Sequence, residues 1–303
     1  KIVINVMFRL KQVYKERVNM KYIFLRFPGG KAKAVTLSYD DGFNADIRLS
    51  NILNNYEMKC TFNLCSNYIG KGSFLTKEEI QENLIGKGHE IAIHGANHRA
   101  PGSQKPIAGI RDVLDCRLEL EKTFGLIVRG MAYPDTGIMH FEGNTSYDRI
   151  KNYLSDLGIA YARTIGGDNN SFTLPEDWYA WMPTASHLNA NLFDYVKEFL
   201  DLDIDNMYIS KRYPRLFFLW GHSFEFDRLK KWDVIEKFCS EIAKKEDIWY
   251  ATNIEIFDYV NAYNSLIFSA DESIVYNPTL YTIWFDVDKK LYSVKPGETI
   301  RIE

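Results

Sequence analysis

The chain has 303 residues, of which 46% are hydrophobic and 25% charged, the ordinary balance of a soluble globular protein with room for one large domain or two smaller ones. A net charge of -3 and a pI near 6.1 leave no basic footprint, which argues against nucleic acid and anionic lipid as partners. Four cysteines (Cys60, Cys65, Cys116 and Cys239) form no CxxC pair and are too few for a disulfide-built scaffold of this length.

At the N-terminus, Arg9, Lys11, Lys15, Glu16 and Arg17 interrupt a short apolar start, and no small-residue cleavage site follows. Met20 opens a segment that itself reads as a natural beginning, which makes residues 1–19 an extension of uncertain status, and residues 1–33 as a whole are set apart from the main domain as an N-terminal extension. No stretch approaches the roughly 20 apolar residues of a membrane helix, so no membrane span is expected. Cytoplasmic placement is the default expectation, with a secreted mature form left open.

Residues 34–265 alternate short β-rich runs with amphipathic stretches, the signature of βα units around a parallel sheet. AVTLSY (34–39) reads as a strand, DIRLSNILNNY (46–56) as a helix and KCTFNLC as a second strand. TKEEIQENLIGKG (76–88) is a helix with Thr76 as N-cap and Glu79 in capping-box position. EIAIH (90–94) is a third strand, and the long helix at 107–125 stops at Gly125. Strands follow at LIVRGMAY, IAYART and RLFFLWGH, with helices at TSYDRIKNYLSDLG, NLFDYVKEFLDL and WDVIEKFCSEIAKK. Residues 266–303 change texture: alternating apolar residues with Asp-Val-Asp-Lys-Lys and Pro-Gly turns predict a short β appendage packed on the main domain. The fold class is therefore α/β, a barrel-like domain with a C-terminal β segment.

Three strand ends carry unusual residues, and in α/β barrels active sites sit at strand ends. Asp40 and Asp41 directly follow the first strand; adjacent carboxylates there face different sides, so one can bind a cation while the other meets a substrate. His94 and His98 follow EIAIH, and two imidazoles four residues apart can converge on one ion if the segment coils. Either pair alone is also what a solvated turn or two unrelated surface histidines would show; together they make a His₂-carboxylate set with open positions. His222 follows the apolar run RLFFLWG, where an exposed imidazole is suited to proton transfer near neutral pH. His89, His140 and His187 have no comparable context.

In this order and spacing SYDDG, HGANH, AYPDTG and LWGH resemble the motifs of the polysaccharide deacetylase family, over roughly residues 34–260. The resemblance implies a distorted (β/α) barrel and a divalent metal, zinc first with cobalt or nickel as alternatives, on Asp41, His94 and His98. It implies Asp40 as general base, His222 as general acid, and backbone around Tyr133 and Pro134 helping to cradle an oxyanion. Trp178 and Trp220 are candidate walls around an acetylated carbohydrate substrate, or core residues. Two departures stand out. Gly95 occupies the place where the family usually has Ser or Thr, and Ala132 the place of an Arg that orients the base. Arg163, ending the IAYART strand, is a candidate replacement through a charge-assisted hydrogen bond to Asp40. The expected activity is removal of N- or O-acetyl groups from a carbohydrate. Hydrolysis of a cyclic amide in a small molecule on the same fold, and a non-catalytic carbohydrate-binding protein, are the alternatives.

Overall fold

The computed structural model of the chain describes residues 21–165 and 168–303, so most of the expected extension lies outside the described residues. Strand β1 (Ile23–Arg26) is followed by β2 (Lys33–Asp41), the long central strand, buried along all but its last residue. Helix Ala45–Asn55 leads to β3 (Thr61–Leu64), and helix Lys77–Asn83 opens with the capping box expected of Thr76 and Glu79, both reciprocal bonds being present. β4 (Glu90–Ile93) precedes helix Pro106–Phe124, which Gly125 closes in a left-handed conformation. β5 (Gly130–Ala132), β6 (Tyr161–Arg163), β7 (Ala185–Ser186) and β8 (Arg215–Gly221) complete the main path, and β9 (Ile248–Tyr250) joins it.

These strands form one parallel, curled sheet in the order β6-β5-β4-β3-β2-β8-β7, a distorted barrel with helices outside. The order makes β2 the spine. Its whole length from Lys33 to Tyr39 pairs with β8; on the other side Lys33–Val35 pair with β9, and Ser38–Asp41 with β3. The segment from Trp181 to Ser186 carries the curl round. Trp181 N–H donates to Ala162 O of β6 at 3.1 Å and Thr184 N–H to Phe218 O of β8 at 2.8 Å, which links the two edges. The aromatic residues are mainly interior: Phe62, Phe199, Phe217, Phe226 and Phe238 fill the core between sheet and helices.

Beyond helix Asn253–Asn264 lie β10 (Ile267–Phe268), β11 (Ile274–Tyr276), β12 (Ile283–Val287), β13 (Lys290–Val294) and β14 (Thr299–Arg301). They make two small antiparallel sheets, β10-β11-β14 and β1-β12-β13. The second includes β1, which pairs from Ile23 opposite Val287 to Arg26 opposite Trp284. The segment set apart at 1–33 thus contributes a strand to the C-terminal β unit. An apolar cluster shared by Leu25, Phe27, Trp181, Phe218, Tyr259, Ile283 and Phe285 seats that unit on the barrel. Its one buried ionic knot is Asp286. Arg212 reaches its two oxygens at 3.3 and 2.5 Å, and Arg26 reaches Oδ2 at 3.4 Å.

Candidate active site

Because the main strands run parallel, the ends of β2, β4, β6 and β8 emerge on one face of the barrel, and the sequence places a polar residue at each. A cleft of about 250 Å³ opens there, lined by Asp40, His94, His98, Tyr133, Trp220 and His222, with Asp135, Thr136 and Ile165 beside them. A larger cleft of about 570 Å³, at the beginnings of β2 and β9, holds none of these residues.

Asp40 and Asp41 diverge as the strand ends. Asp40 continues the extended strand and is 1% exposed, while Asp41 turns into the left-handed region at φ 81°. That turn aims Asp41 Oδ1 at two imidazoles, 3.5 Å from His94 Nε2 and 3.3 Å from His98 Nε2. His98 also has a left-handed backbone, φ 54°, which brings its ring round to face His94 with centroids 4.9 Å apart. Non-glycine residues in this region carry a cost of about 1–3 kcal/mol, and such strain persists where the surroundings enforce it. His94 Nδ1 lies 2.9 Å from Ala132 O. A carbonyl only accepts, so Nδ1 carries the proton and Nε2 offers its lone pair toward Asp41. Burial holds the His94 imidazole below its ordinary value, against the pull of Asp40 and Asp41, which keeps it in the neutral form a ligand needs.

One ligand atom each from Asp41, His94 and His98 lies within 4.8 Å of the others. Asp41 Oδ1 is buried and has no hydrogen-bond partner. A buried carboxylate oxygen left bare is costly, and two imidazole lone pairs converge on the same space, so the set fits a divalent cation of the zinc class.

Asp40 is built as a different kind of group. Arg163 Nη2 donates to its Oδ2, and Asn63 Nδ2, on the neighbouring strand in direct register, donates to its Oδ1 at 2.9 Å. Arg163 is fully buried, and its guanidinium lies 4.6 Å from the Trp220 ring centroid. Burial pushes the Asp40 carboxyl up, but Arg163, His94 and His222 outweigh it and hold it below the ordinary carboxylate range, so it stays ionised.

His222 faces the same carboxylate, its Nε2 3.9 Å from Asp40 Oδ2. Its Nδ1 lies 3.4 Å from Glu225 Oε2, and that same oxygen lies 3.4 Å from His187 Nε2, a second buried imidazole. Burial pulls the His222 imidazole down, yet Glu225, Asp40 and Asp41 raise it above its ordinary value. His187 stacks on the Tyr39 ring and lies close against Gly221 of β8. A Cβ on Gly221 would collide with its ring, so glycine is required there for close approach.

Of the residues read from the sequence, Asp40, Asp41, His94, His98, Tyr133, Arg163, Trp220 and His222 come together here. Two details differ from expectation. The Tyr133 N–H is spent on Arg163 O at 3.0 Å and Pro134 has none to give, so neither supplies an oxyanion donor; the ladder claims the one amide and the pyrrolidine ring removes the other. Trp178 is not in the cleft wall: it packs edge-on against Trp181 and Phe257, centroids 4.9 and 5.1 Å away, in the cluster that seats the C-terminal unit. Arg129, the other arginine near the third motif, lies at the opposite end of its strand and pairs with Asp258 at 2.7 and 2.9 Å. Asn63 and Glu225 had no legible role in the sequence. The signal for Asn63 is a polar residue in the middle of an apolar strand; for Glu225 it is an acid three residues after a candidate catalytic histidine.

Comparison with known proteins bears on this arrangement. A Mycobacterium smegmatis protein assigned to the polysaccharide deacetylases superposes with a TM-score of 0.55 at 18% identity, over 79% of this chain and 94% of that one. A Pseudomonas aeruginosa PAO1 protein with the same assignment gives 0.53 at 13% identity, over 77% and 92%. PuuE allantoinase gives 0.53 at 12% identity, over 77% and 91%. At these identities the likeness is one of fold. No curated protein matches the chain by sequence. The sequence model of one family, described as polysaccharide deacetylase, matches residues 11–162, half of the chain, including Asp40, Asp41, His94 and His98. The chain belongs to the polysaccharide deacetylase family.

Proposed function

We propose that the chain is a metal-dependent hydrolase that removes acetyl groups from a carbohydrate, with the cation on Asp41, His94 and His98. The observation that carries this is the bare, buried Asp41 oxygen between two imidazoles, next to a second carboxylate of separate design. When bound, a divalent cation there supplies Lewis acidity toward a carbonyl and lowers the cost of forming hydroxide from water. Asp40, kept ionised chiefly by Arg163 and oriented by the Asn63 amide, accepts the proton of the attacking water. His222, with its imidazolium favoured by Glu225 and Asp40, holds the proton that the leaving amine or alkoxide needs. Trp220 covers Arg163 and keeps bulk water from the guanidinium–carboxylate pair. The cleft is smaller than the roughly 300–1,000 Å³ of pockets that enclose drug-sized ligands, so it admits one acetylated group while the rest of the substrate lies outside.

That small volume equally fits a cyclic amide, the second reading. Assays of acetate release from chitooligosaccharides and acetylated xylan, run beside ring-opening of cyclic amides and metal analysis, separate the two. Alanine at Asp41 or His98 is expected to abolish metal retention and turnover with the fold intact. Full activity in a chelator-treated, metal-free preparation refutes the proposal.

A further inference from the structure

The loop between the two histidine ligands is held by a residue that no motif marks. Asp112 lies on helix Pro106–Phe124, outside the cleft, and is 7% exposed. Its Oδ1 accepts the Asn97 backbone N–H at 3.0 Å and the Asn97 side-chain amide at 2.8 Å. Its backbone carbonyl accepts the Ala96 N–H at 3.0 Å. Its Oδ2 sits where a Cβ on residue 95 would be, so the space is open to it only because residue 95 is glycine, whose φ of +74° also suits glycine. One residue therefore meets Gly95, Ala96 and Asn97, every residue between His94 and His98.

The opposite side of the loop is held independently. Asn67 N–H donates to Ala96 O at 3.2 Å, Asn67 Nδ2 to Asn97 Oδ1 at 2.8 Å, and Tyr68 hydroxyl to Asn97 O at 3.3 Å. The 66–68 turn supplies donors to the loop's acceptors, whereas Asp112 supplies the acceptors for its amides. Without the Asp112 carboxylate the Ala96 N–H keeps the helix carbonyl, but the Asn97 N–H and side-chain amide lose their acceptor, and with it goes the tie next to His98 and its left-handed backbone.

We infer that Asp112, admitted by Gly95, is a positioning residue for the metal centre: it pre-forms the His94–His98 loop so that both imidazoles meet Asp41. The inference rests on the metal reading proposed above. Outer partners of this kind alter metal affinity by about 10–100-fold when removed.

The test is zinc affinity of the purified full chain by chelator competition, for wild type, Asp112→Asn, Asp112→Ala and Gly95→Ala. Asp112→Asn keeps an acceptor oxygen and is expected to stay close to wild type. Asp112→Ala and Gly95→Ala are expected to bind zinc about 10–100-fold more weakly, with kcat largely restored at saturating zinc. A purely structural role predicts a lower Tm for metal-free Asp112→Ala with unchanged zinc affinity, and that result overturns the inference. If Asp112→Ala does not fold, Gly95→Ala takes its place, since its Cβ forces the Asp112 carboxylate aside without removing it; unchanged affinity there is equally fatal. A wild-type chain that binds no zinc removes the metal reading and this inference together, whereas equal binding by wild type and the folded variants removes only this inference.

Discussion

Two buried arginine–aspartate arrangements stand among the described residues, and they are finished differently. At the seam between barrel and C-terminal unit, Asp286 receives Arg26, Arg212 and the Lys289 N–H, while Arg212 also donates to the carbonyls of Ile204 and Asp205. In the cleft, Arg163 and Asp40 are as deeply buried, but polar atoms around them are left without partners: Arg163 Nε, Asn63 Oδ1 and, beside them, Asp41 Oδ1. A buried ionic network with its partners in place fixes structure; one left incomplete has capacity for something else. The contrast separates a structural knot from a reacting one without reference to any motif.

The comparison can be broken from the cleft side first. Asp40→Asn keeps the shape and the Asn63 contact but removes the negative charge; turnover is expected to fall about 10²–10⁴-fold, the usual range for losing a positioned base, with Tm near wild type. A mutant with near-normal kcat would make Asp40 as structural as Asp286. From the seam side, Asp286→Ala removes the buried partner of two guanidinium groups, leaving them only the exposed Asp205 carboxylate as an anion, and is expected to cost about 3–5 kcal/mol in denaturant unfolding. The kcat of the molecules that remain folded should not move; a selective loss of kcat would erase the distinction. Arg163→Ala is expected to lower kcat roughly 10–100-fold, the range for an outer partner of a catalytic group, and more than it raises KM. It should also move the acidic limb of the pH–rate profile upward, because Asp40 loses the charge that holds its carboxyl down. An unchanged rate would dispose of its role as the substitute for the missing motif arginine.

The smallest effect is expected at His222. Its folded imidazole is raised, so the acid form persists above the ordinary histidine range and is lost as pH rises through the shifted value. Turnover should therefore be bell-shaped, with its alkaline limb above that range. Glu225→Gln removes one of the raising contacts and should bring that limb down; a limb that stays put would assign it to another group.

Much of this was legible in the sequence because strand ends are easy to find. Apolar runs stopping at Asp40, His94, Arg163 and His222 place four polar groups on one face as soon as a parallel sheet is assumed. The capping box at Thr76 and the glycine stop at Gly125 likewise follow from local chemistry alone. What stayed hidden depends on sequence-distant approach. Helix Asn253–Asn264 buries Ile256, Tyr259 and Val260 on one face and also packs Ile254 and Phe257 from other sides into the same cluster, so its apolar residues run round the helix and the periodic signal fades. β9 is three residues long and recognisable only by its pairing with β2. Trp178 reads as a possible sugar platform until the short turn that carries it is seen to point into the second core. The service of Asp112 to the metal loop depends on the space above Gly95, and no spacing rule carries that information.

The pairing of β1 with β12 has a consequence for how the molecule assembles. Arg26 and the Asp286 that neutralises it are separated by 260 residues, so closing this seam brings together parts of the chain at opposite extremes of contact order. The barrel strands are complete in the chain by Tyr250, and Arg26 and Arg212 already share the exposed carboxylate of Asp205, whereas their buried partner Asp286 follows much later. Closing this seam is therefore expected among the later folding steps, after the strands of the barrel have paired, because its partners lie so far apart in the chain.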